Sequence, residues 1–254
     1  MADPLRVEPG EVTTLTVDRP DKLNALTVET LERLEAAIEA ARDDARVLVL
    51  TGAGDTAFIA GADISYMQSL SPAEAQDYAE LGHRVAAGLE TFPGPTIAAI
   101  NGYALGGGCE LAIACDLRVA SERAVIGQPE IDLGIIPGWG GTQRLPRLVG
   151  DEVARRLVYF GDRVDAQDAN EIGLVGEVVA HDELRDHVAA LAAELAATPH
   201  RALVAAKEAL NLERRGDPAA GLAFERRAWS GLFGTHDQRE GMAAFLEKRE
   251  PDFE

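Results

Sequence analysis

Short runs that are apolar from end to end, separated by stretches of helical period, most narrow the folds open to this chain. "RVLVLTG" at 46–52 and "PTIAAING" at 95–102 present no polar face. A strand of that kind has to be covered on both sides, as in a largely parallel sheet flanked by helices. The spacing between them predicts a helix over 72–90. Upstream, "EVTTLTVDRP" alternates apolar and polar residues and then meets Pro20, a strand running into a turn. Thr27 stands where a helix cap is wanted, ahead of Leu31, Leu34, Ile38 and Ala41 at helical spacing. "CELAIACD" reads as a helix, "DLRVAS" and "AVIGQPE" as strands, and "GTQRLPRLVG" as a helix interrupted by Pro146. Alternation of this kind up to residue 180 predicts an α/β core. From His181 onward the chain turns helical, rich in Ala, Leu, Glu and Arg, with Pro199 and Pro218 as helix starts. No internal repeat or low-complexity linker interrupts it.

At 254 residues and 46% apolar content the chain can bury a sizeable core. No window approaches the run of about 18 apolar residues that a membrane helix needs. The opening "MADPLRVEPGEVTTL" has no basic segment followed by an apolar one. Cys109 and Cys115, expected six positions apart on one helix, are neither a disulfide framework nor a zinc set. A soluble, reduced, cytoplasmic protein is the expectation. The net charge is −19, with only three lysines, Lys22, Lys207 and Lys248, among the basic residues. The acids are scattered rather than gathered into a tail, so the charge belongs to the surface. Arginine in place of lysine fits a GC-rich genome, and the acidic surface fits a salty cytoplasm in which carboxylate repulsion is screened. The second reading predicts stability that rises with molar KCl. Nucleic acid, itself a polyanion, is an unfavourable partner.

"VLVLTGAGDTA" places Gly52, Gly54 and Ala57 after a strand in the manner of a dinucleotide fingerprint, but the "FIAGADI" that follows is not a helix start. No P-loop, serine-hydrolase elbow, HExxH or CxxC occurs. Three other stretches hold more chemistry: "AFIAGADISYM" at 57–67, "NGYALGGGCELA" at 101–112 and "GQPEIDLGIIPGWGGTQRL" at 127–145. The first two put small residues after an apolar strand, where bare backbone N–H groups can approach a ligand. Two such groups converging on one point form an oxyanion hole, and a helix start at Gly107 adds its dipole. Glu110 then stands in the first helical turn and Glu130 supplies a second carboxylate from another segment. Taken singly, Glu110 reads more readily as a partner of the helix dipole and Glu130 as an exposed strand-end charge. His83 reads as a surface or packing residue, and Trp139 and Trp229 as core or pocket wall.

Together with "RPDKLNALT" and the C-terminal "DQREGMAAFLEKREPDF", and in that order along the chain, these stretches resemble the enoyl-CoA hydratase/isomerase (crotonase) superfamily over nearly the whole length. The resemblance implies a crotonase-like spiral of repeated ββα units over 1–190, holding the active site. It implies a helical region over 191–254 that builds trimers, stacked in pairs into hexamers, and closes the CoA site. The implied substrate is an acyl thioester of coenzyme A, with no further cofactor and no metal, in fatty-acid or short-chain acyl-CoA metabolism.

Matching motif to motif puts the oxyanion-hole N–H groups on Ala62 and Gly107, with Gly106, Gly107 and Gly108 letting the thioester carbonyl lie against the main chain. Glu110 would deprotonate the water and Glu130 deliver a proton to C2. Members carrying both glutamates resemble hydratases, whereas isomerase-type members keep the equivalent of Glu130. Ala60, Asp63, Ile64 and Trp139 are expected along the substrate, and Lys22 and Lys248 at the CoA phosphates. Trp139 departs from the small residue of many relatives, and its ring either shortens the acyl pocket or packs outward on a helix. The alternatives are a 3-enoyl-CoA isomerase, a specialised dehydratase of a short 3-hydroxyacyl-CoA, and a relative turned binding protein, RNA-binding included.

Overall fold

The fold was obtained as a computed structural model, which describes residues 3–213, 216 and 218–254. The strands are β1 (Leu5–Glu8), β2 (Val12–Val17), β3 (Val47–Gly52), β4 (Ala57–Ile59), β5 (Thr96–Ile100), β6 (Tyr103–Leu105), β7 (Leu117–Ser121), β8 (Val125–Gly127), β9 (Arg163–Asp165) and β10 (Glu177–Val179). The helices are α1 (Val28–Ala41), α2 (Ile64–Met67), α3 (Pro72–Glu90), α4 (Gly107–Ala114), α5 (Gly141–Val149), α6 (Asp151–Tyr159), α7 (Ala166–Glu171), α8 (Leu184–Ala196), α9 (His200–Glu213), α10 (Pro218–Leu232) and α11 (His236–Glu247).

Two sheets result, a six-stranded one in the order β1-β2-β3-β5-β7-β10 and a four-stranded one in the order β4-β6-β8-β9. The pairs β3–β4, β5–β6 and β7–β8 each send their first strand to the large sheet and their second to the small one. A helix then returns the chain to the next pair. Each turn adds one parallel neighbour to both sheets, which is the spiral of ββα units. The corner between β3 and β4 is tight, since a Cβ on Gly52 would overlap the Phe58 carbonyl. Two buried amides pin it: Asn24 Nδ2 donates to the carbonyls of Ala53 (3.0 Å) and Ala57 (2.7 Å), and Asn101 Nδ2 to those of Gly52 (3.0 Å) and Gly54 (2.7 Å). The dinucleotide-like run therefore ends in strand β4, not in a helix.

The large sheet is covered on both faces. On one side Leu31, Leu34 and Ile38 of α1 and Val85 and Leu89 of α3 pack with Leu48, Leu50 and Ile100. On the other, Leu184, Val188, Ala192 and Ala196 of α8 pack on Val47, Val49, Ile97, Ala99 and Val119. α8 thus crosses residue 190 while serving the sheet, and α9–α11 extend beyond it. Thr27 caps α1 by accepting from Thr30 N, as its position suggests. The Pro199 carbonyl accepts from Ala202 and Leu203 at the start of α9, and Pro218 opens α10.

Two expectations change. Pro146 does not interrupt its helix: it lies within α5, which runs on to Val149 before Gly150, at φ 81°, turns the chain into α6. Cys115 is not in the body of α4 but is its extended C-cap. Trp229, expected in the core or on a pocket wall, is on a pocket wall: it is 65% exposed, packs edge-on against Phe233 and lines a hollow with Ala202 of α9 and Met242 of α11.

Candidate active site

The cleft beside the spiral has a volume of about 550 Å³, and eight of the eleven residues expected to serve the site line it: Ala60, Ala62, Ile64, Gly106, Gly107, Glu110, Glu130 and Trp139. Ala62 stands in a parallel bridge to Leu26. Leu26 N donates to the Gly61 carbonyl (2.9 Å) and Asp63 N to the Leu26 carbonyl (2.8 Å), so the N–H of Ala62 points away from Leu26. Gly107 is the first residue of α4, a position whose N–H has no acceptor within its own helix.

The glycine triple has three separate reasons. Gly106 adopts φ 52° and ψ −122°, and a Cβ there would come within 3.1 Å of Glu130 Oε1. A Cβ on Gly107 would overlap the Trp139 ring, and one on Gly108 would overlap the carbonyl oxygen of Ile59 in β4. Gly106 and Gly107 line the cleft, whereas Gly108 is required by the close approach of α4 to the small sheet.

Glu110, in the first turn of α4, is 2% exposed. Its Oε1 accepts from Trp139 N and Gly141 N, both at 2.7 Å. Burial pushes this carboxyl up, opposed by those N–H groups, by that of Gly138 and by the charge of Arg144. Glu130 is 9% exposed and sits not at a strand end but in a single 3-10 turn, Pro129–Leu133, opened by the proline. Burial first, and then the charge of Glu110, push Glu130 up to about 7. With its amide turned so that Nε2 faces the carboxylate, buried Gln128 donates to both Glu130 oxygens at 2.8 and 3.0 Å. Both carboxyls are thus held above the usual carboxylate range, and two that share one cleft do not readily ionise together.

Trp139 lines the cleft, and its ring is packed inward between Gly82 of α3 and Gly107 of α4. Tyr78 meets it edge-on at 5.6 Å and donates its hydroxyl to the Leu26 carbonyl at 2.8 Å. Leu133, Ile135 and Ile136 add an apolar rim. Sequence reasoning missed Tyr78, Gln128, Gly141 and Arg144. Tyr78 falls on the inward face of α3, and the others lie inside the quoted "GQPEIDLGIIPGWGGTQRL" without a chemical signal of their own.

Three expected residues do not line the cleft. The Asp63 carboxylate caps α2 by accepting from Ser65 N (3.1 Å) and pairs with Arg19 (3.5 Å). Lys22 is exposed at the end of the 3-10 turn Pro20–Lys22, and Lys248 is exposed in the left-handed cap of α11. His83 is exposed on α3, as a surface residue.

The family profile described as Enoyl-CoA hydratase/isomerase matches residues 8–254. The chain is similar to a crotonyl-CoA hydratase of Syntrophomonas wolfei, 45% identical over 96% of this chain and 94% of that one. It is also similar to a short-chain-enoyl-CoA hydratase of Clostridium acetobutylicum, 44% identical over 94% and 93% of the two chains. Among solved structures, the enoyl-CoA hydratase of Bacillus anthracis superposes with a TM-score of 0.94 at 39% identity, covering 98% of both chains. With Ala62, Gly107 and two carboxylates on the wall of one apolar cleft, on a spiral of this topology, these matches place the chain in the enoyl-CoA hydratase/isomerase family.

Proposed function

We propose that this enoyl-CoA hydratase adds water across the 2,3 double bond of a short 2-enoyl-CoA, with Glu110 as base and Glu130 as acid. The observation that carries the reading is the presence of both carboxylates, each pushed up by burial, in one cleft that Ala62 and Gly107 also line. The thioester oxygen accepts from the N–H groups of those two residues, which stabilise the enolate as charge develops there. Ionised Glu110 takes a proton from a water whose oxygen bonds to C3, and Glu130 gives its proton to C2. The pair exchanges its proton state through solvent before the next turnover. Two carboxyls held apart in protonation state suit a reaction that needs a base and an acid at once. Moving a double bond would need only one of them.

The indole of Trp139 and the ring of Tyr78 narrow the cleft beyond the reacting carbons, which favours short acyl chains; two relatives, a crotonyl-CoA hydratase and a short-chain-enoyl-CoA hydratase, agree with that direction. Lys22 and Lys248 supply cations for the CoA phosphates on a chain of net charge −19. Residues 191–254 serve oligomerisation, as a trimer or a pair of trimers. Trp229, Phe245 and Leu246 on α10 and α11 are exposed apolar side chains that a subunit interface would cover. Among the described residues no helix is long and apolar enough to cross a membrane, and the cytoplasm suits a CoA thioester substrate.

The test is loss of the conjugated enoyl-thioester absorbance with crotonyl-CoA. Wild type should turn over rapidly and Glu110→Gln should not. Absence of hydration by the wild type, with turnover of a 3-enoyl-CoA, would replace the hydratase with an isomerase.

A further inference from the structure

The N–H groups that hold Glu110 come from a short loop, and that loop has its own support. Arg144, on α5, turns back beneath it. Its Nη1 donates to the Trp139 carbonyl at 2.9 Å, while Nε and Nη2 both donate to Glu90 Oε2 at 3.2 and 2.8 Å. The guanidinium lies directly under Gly140, which has φ 104° and whose Cβ would overlap Nη1. The two side chains are withdrawn from solvent, with 13% of Arg144 and 21% of Glu90 exposed. Glu90 ends α3, and its carbonyl accepts from Asn211 Nδ2 of α9 at 2.9 Å. One turn earlier on α9, Lys207 donates to the Gly94 carbonyl at 2.9 Å and pairs with Asp116 at 2.7 Å. A continuous polar path therefore runs from α9 through Glu90 and Arg144 to the loop that grips Glu110.

We propose that Arg144, braced by Glu90, is a positioning residue for hydration: by holding the Trp139 carbonyl it keeps the N–H groups of Trp139 and Gly141 aimed at Glu110 Oε1. The hydratase reading enters only in what Glu110 does, not in this geometry. A planar fork meets Glu90 and the carbonyl from separate nitrogens at a fixed angle, a geometry that the point-like ammonium of a lysine does not reproduce at this site. Arg144 also sets a positive charge near Glu110. The charged groups that bear on Glu110 are Arg144 from α5 and Glu130 from the 129–133 turn. Its α4 neighbour Cys109 is a thiol kept neutral by burial. Without Arg144 the donors lose their aim and the carboxylate loses a cation, and both changes raise the pH at which Glu110 ionises.

The experiment compares wild type with Arg144→Met, Arg144→Lys, Glu90→Gln and the Glu90→Gln/Arg144→Met double variant. Arg144→Met should lower kcat by roughly 10- to 100-fold, the size of effect a misplaced catalytic group produces. KM should change by less than about threefold, as for a loss confined to the transition state. The acid limb of kcat/KM should move to higher pH by about half a unit or more. Arg144→Lys should leave kcat depressed, and the double variant should be no worse than Arg144→Met, because both side chains act through one loop. Carbon-13 titration of the glutamate carboxyls in substrate-free protein, assigned with Glu110→Gln, should show the same upward shift. That reading stands whether or not the wild type hydrates an enoyl-CoA, so a failure of the hydratase reading is seen separately, in the absence of turnover. An unchanged Glu110 titration, or an effect confined to KM or to melting temperature, overturns the proposal. If Arg144→Met does not fold, Glu90→Gln carries the test, with a smaller shift in the same direction expected and no shift overturning it.

Discussion

The indole of Trp139 occupies the space that a Cβ on Gly82 would need, so the missing side chain on α3 and the bulky one in the "PGWGG" loop form a matched pair. The ring that floors the cleft is thereby also a helix-packing residue, buried against α3 and α4.

Gly82→Ala should therefore destabilise the protein by about 1–3 kcal/mol, the usual cost of overfilling a packed core. Trp139→Ala should cost about 3–5 kcal/mol and open the cleft. In that background Gly82→Ala should become neutral or stabilising, since its methyl enters vacated space and alanine suits a helix. Thermal melts of the four proteins read this cycle. The ratio of kcat/KM for crotonyl-CoA to that for a decenoyl-CoA should fall in Trp139→Ala, and an unchanged ratio would remove Trp139 from chain-length control.

The pH profile of hydration should be bell-shaped. Glu130 must be protonated to act as acid, and burial with the nearby Glu110 charge pushes it up to about 7, so kcat/KM should decline above roughly that pH. The acid limb belongs to Glu110, which must be ionised to activate water. Glu130→Gln and Glu110→Gln should each lower kcat by about 100- to 10,000-fold, the range of an acid or base role. Near-normal hydration by both variants would contradict the two-carboxylate mechanism.

The glycines around the cleft should not respond alike. Gly108→Ala drives a methyl into the Ile59 carbonyl, a backbone atom that cannot swing aside, so α4 must shift and little folded protein is expected. Gly106→Ala strains a residue at φ 52°, for about 1–3 kcal/mol. Gly138→Ala meets nothing within 4 Å and should melt with the wild type. Soluble yield and melting temperature separate the three.

Much of this arrangement was legible because burial writes itself into sequence at particular residues. The unbroken apolar run Val47–Leu50 can only be a strand covered twice, and α1 and α8 with their partners cover it. Thr27, followed by Leu31, Leu34 and Ile38, defines a helix by cap and period together. By contrast β1, β6, β9 and β10, three or four residues each, are too short to show a period and form only because neighbouring strands are already in place. Glu110 and Glu130 were legible from residue type and motif. Arg144 and Tyr78 were not, because their contacts join segments far apart in the chain, Arg144 to Glu90 and Tyr78 to Leu26.

Lys207 is one of three lysines and is buried, with Nζ held by Asp116 at 2.7 Å and by the Gly94 carbonyl at 2.9 Å. Lys207→Met leaves the Asp116 carboxylate with its Thr96 donors but without its cation. A loss of about 3 kcal/mol is expected, since breaking a buried pair strands the remaining charge. Lys207→Arg should not fully restore it, because a planar fork does not reproduce the contacts of a compact ammonium. Urea denaturation measures both, and a Lys207→Met midpoint equal to wild type would show the pair to be dispensable.

The salt response sets two screened effects against each other. Ion pairs such as Arg6–Asp18 and Arg155–Asp151 lie at the surface, and salt weakens them. Exposed pairs are each worth only about 0–1 kcal/mol, however, so their loss is small. Repulsion is the larger quantity, because 43 acidic residues face 24 basic ones and 19 carboxylates are left without a counter-charge. At molar KCl the screening length falls to about 3 Å, shorter than the spacing of most surface charges, and that repulsion largely disappears. The melting temperature should therefore rise between dilute buffer and molar KCl. It should rise most steeply at the lowest salt, where screening changes fastest, and activity at elevated temperature should follow it. A melting temperature indifferent to KCl would mean that the acidic residues are spaced widely enough not to repel, and would remove the salt-adapted reading of this surface.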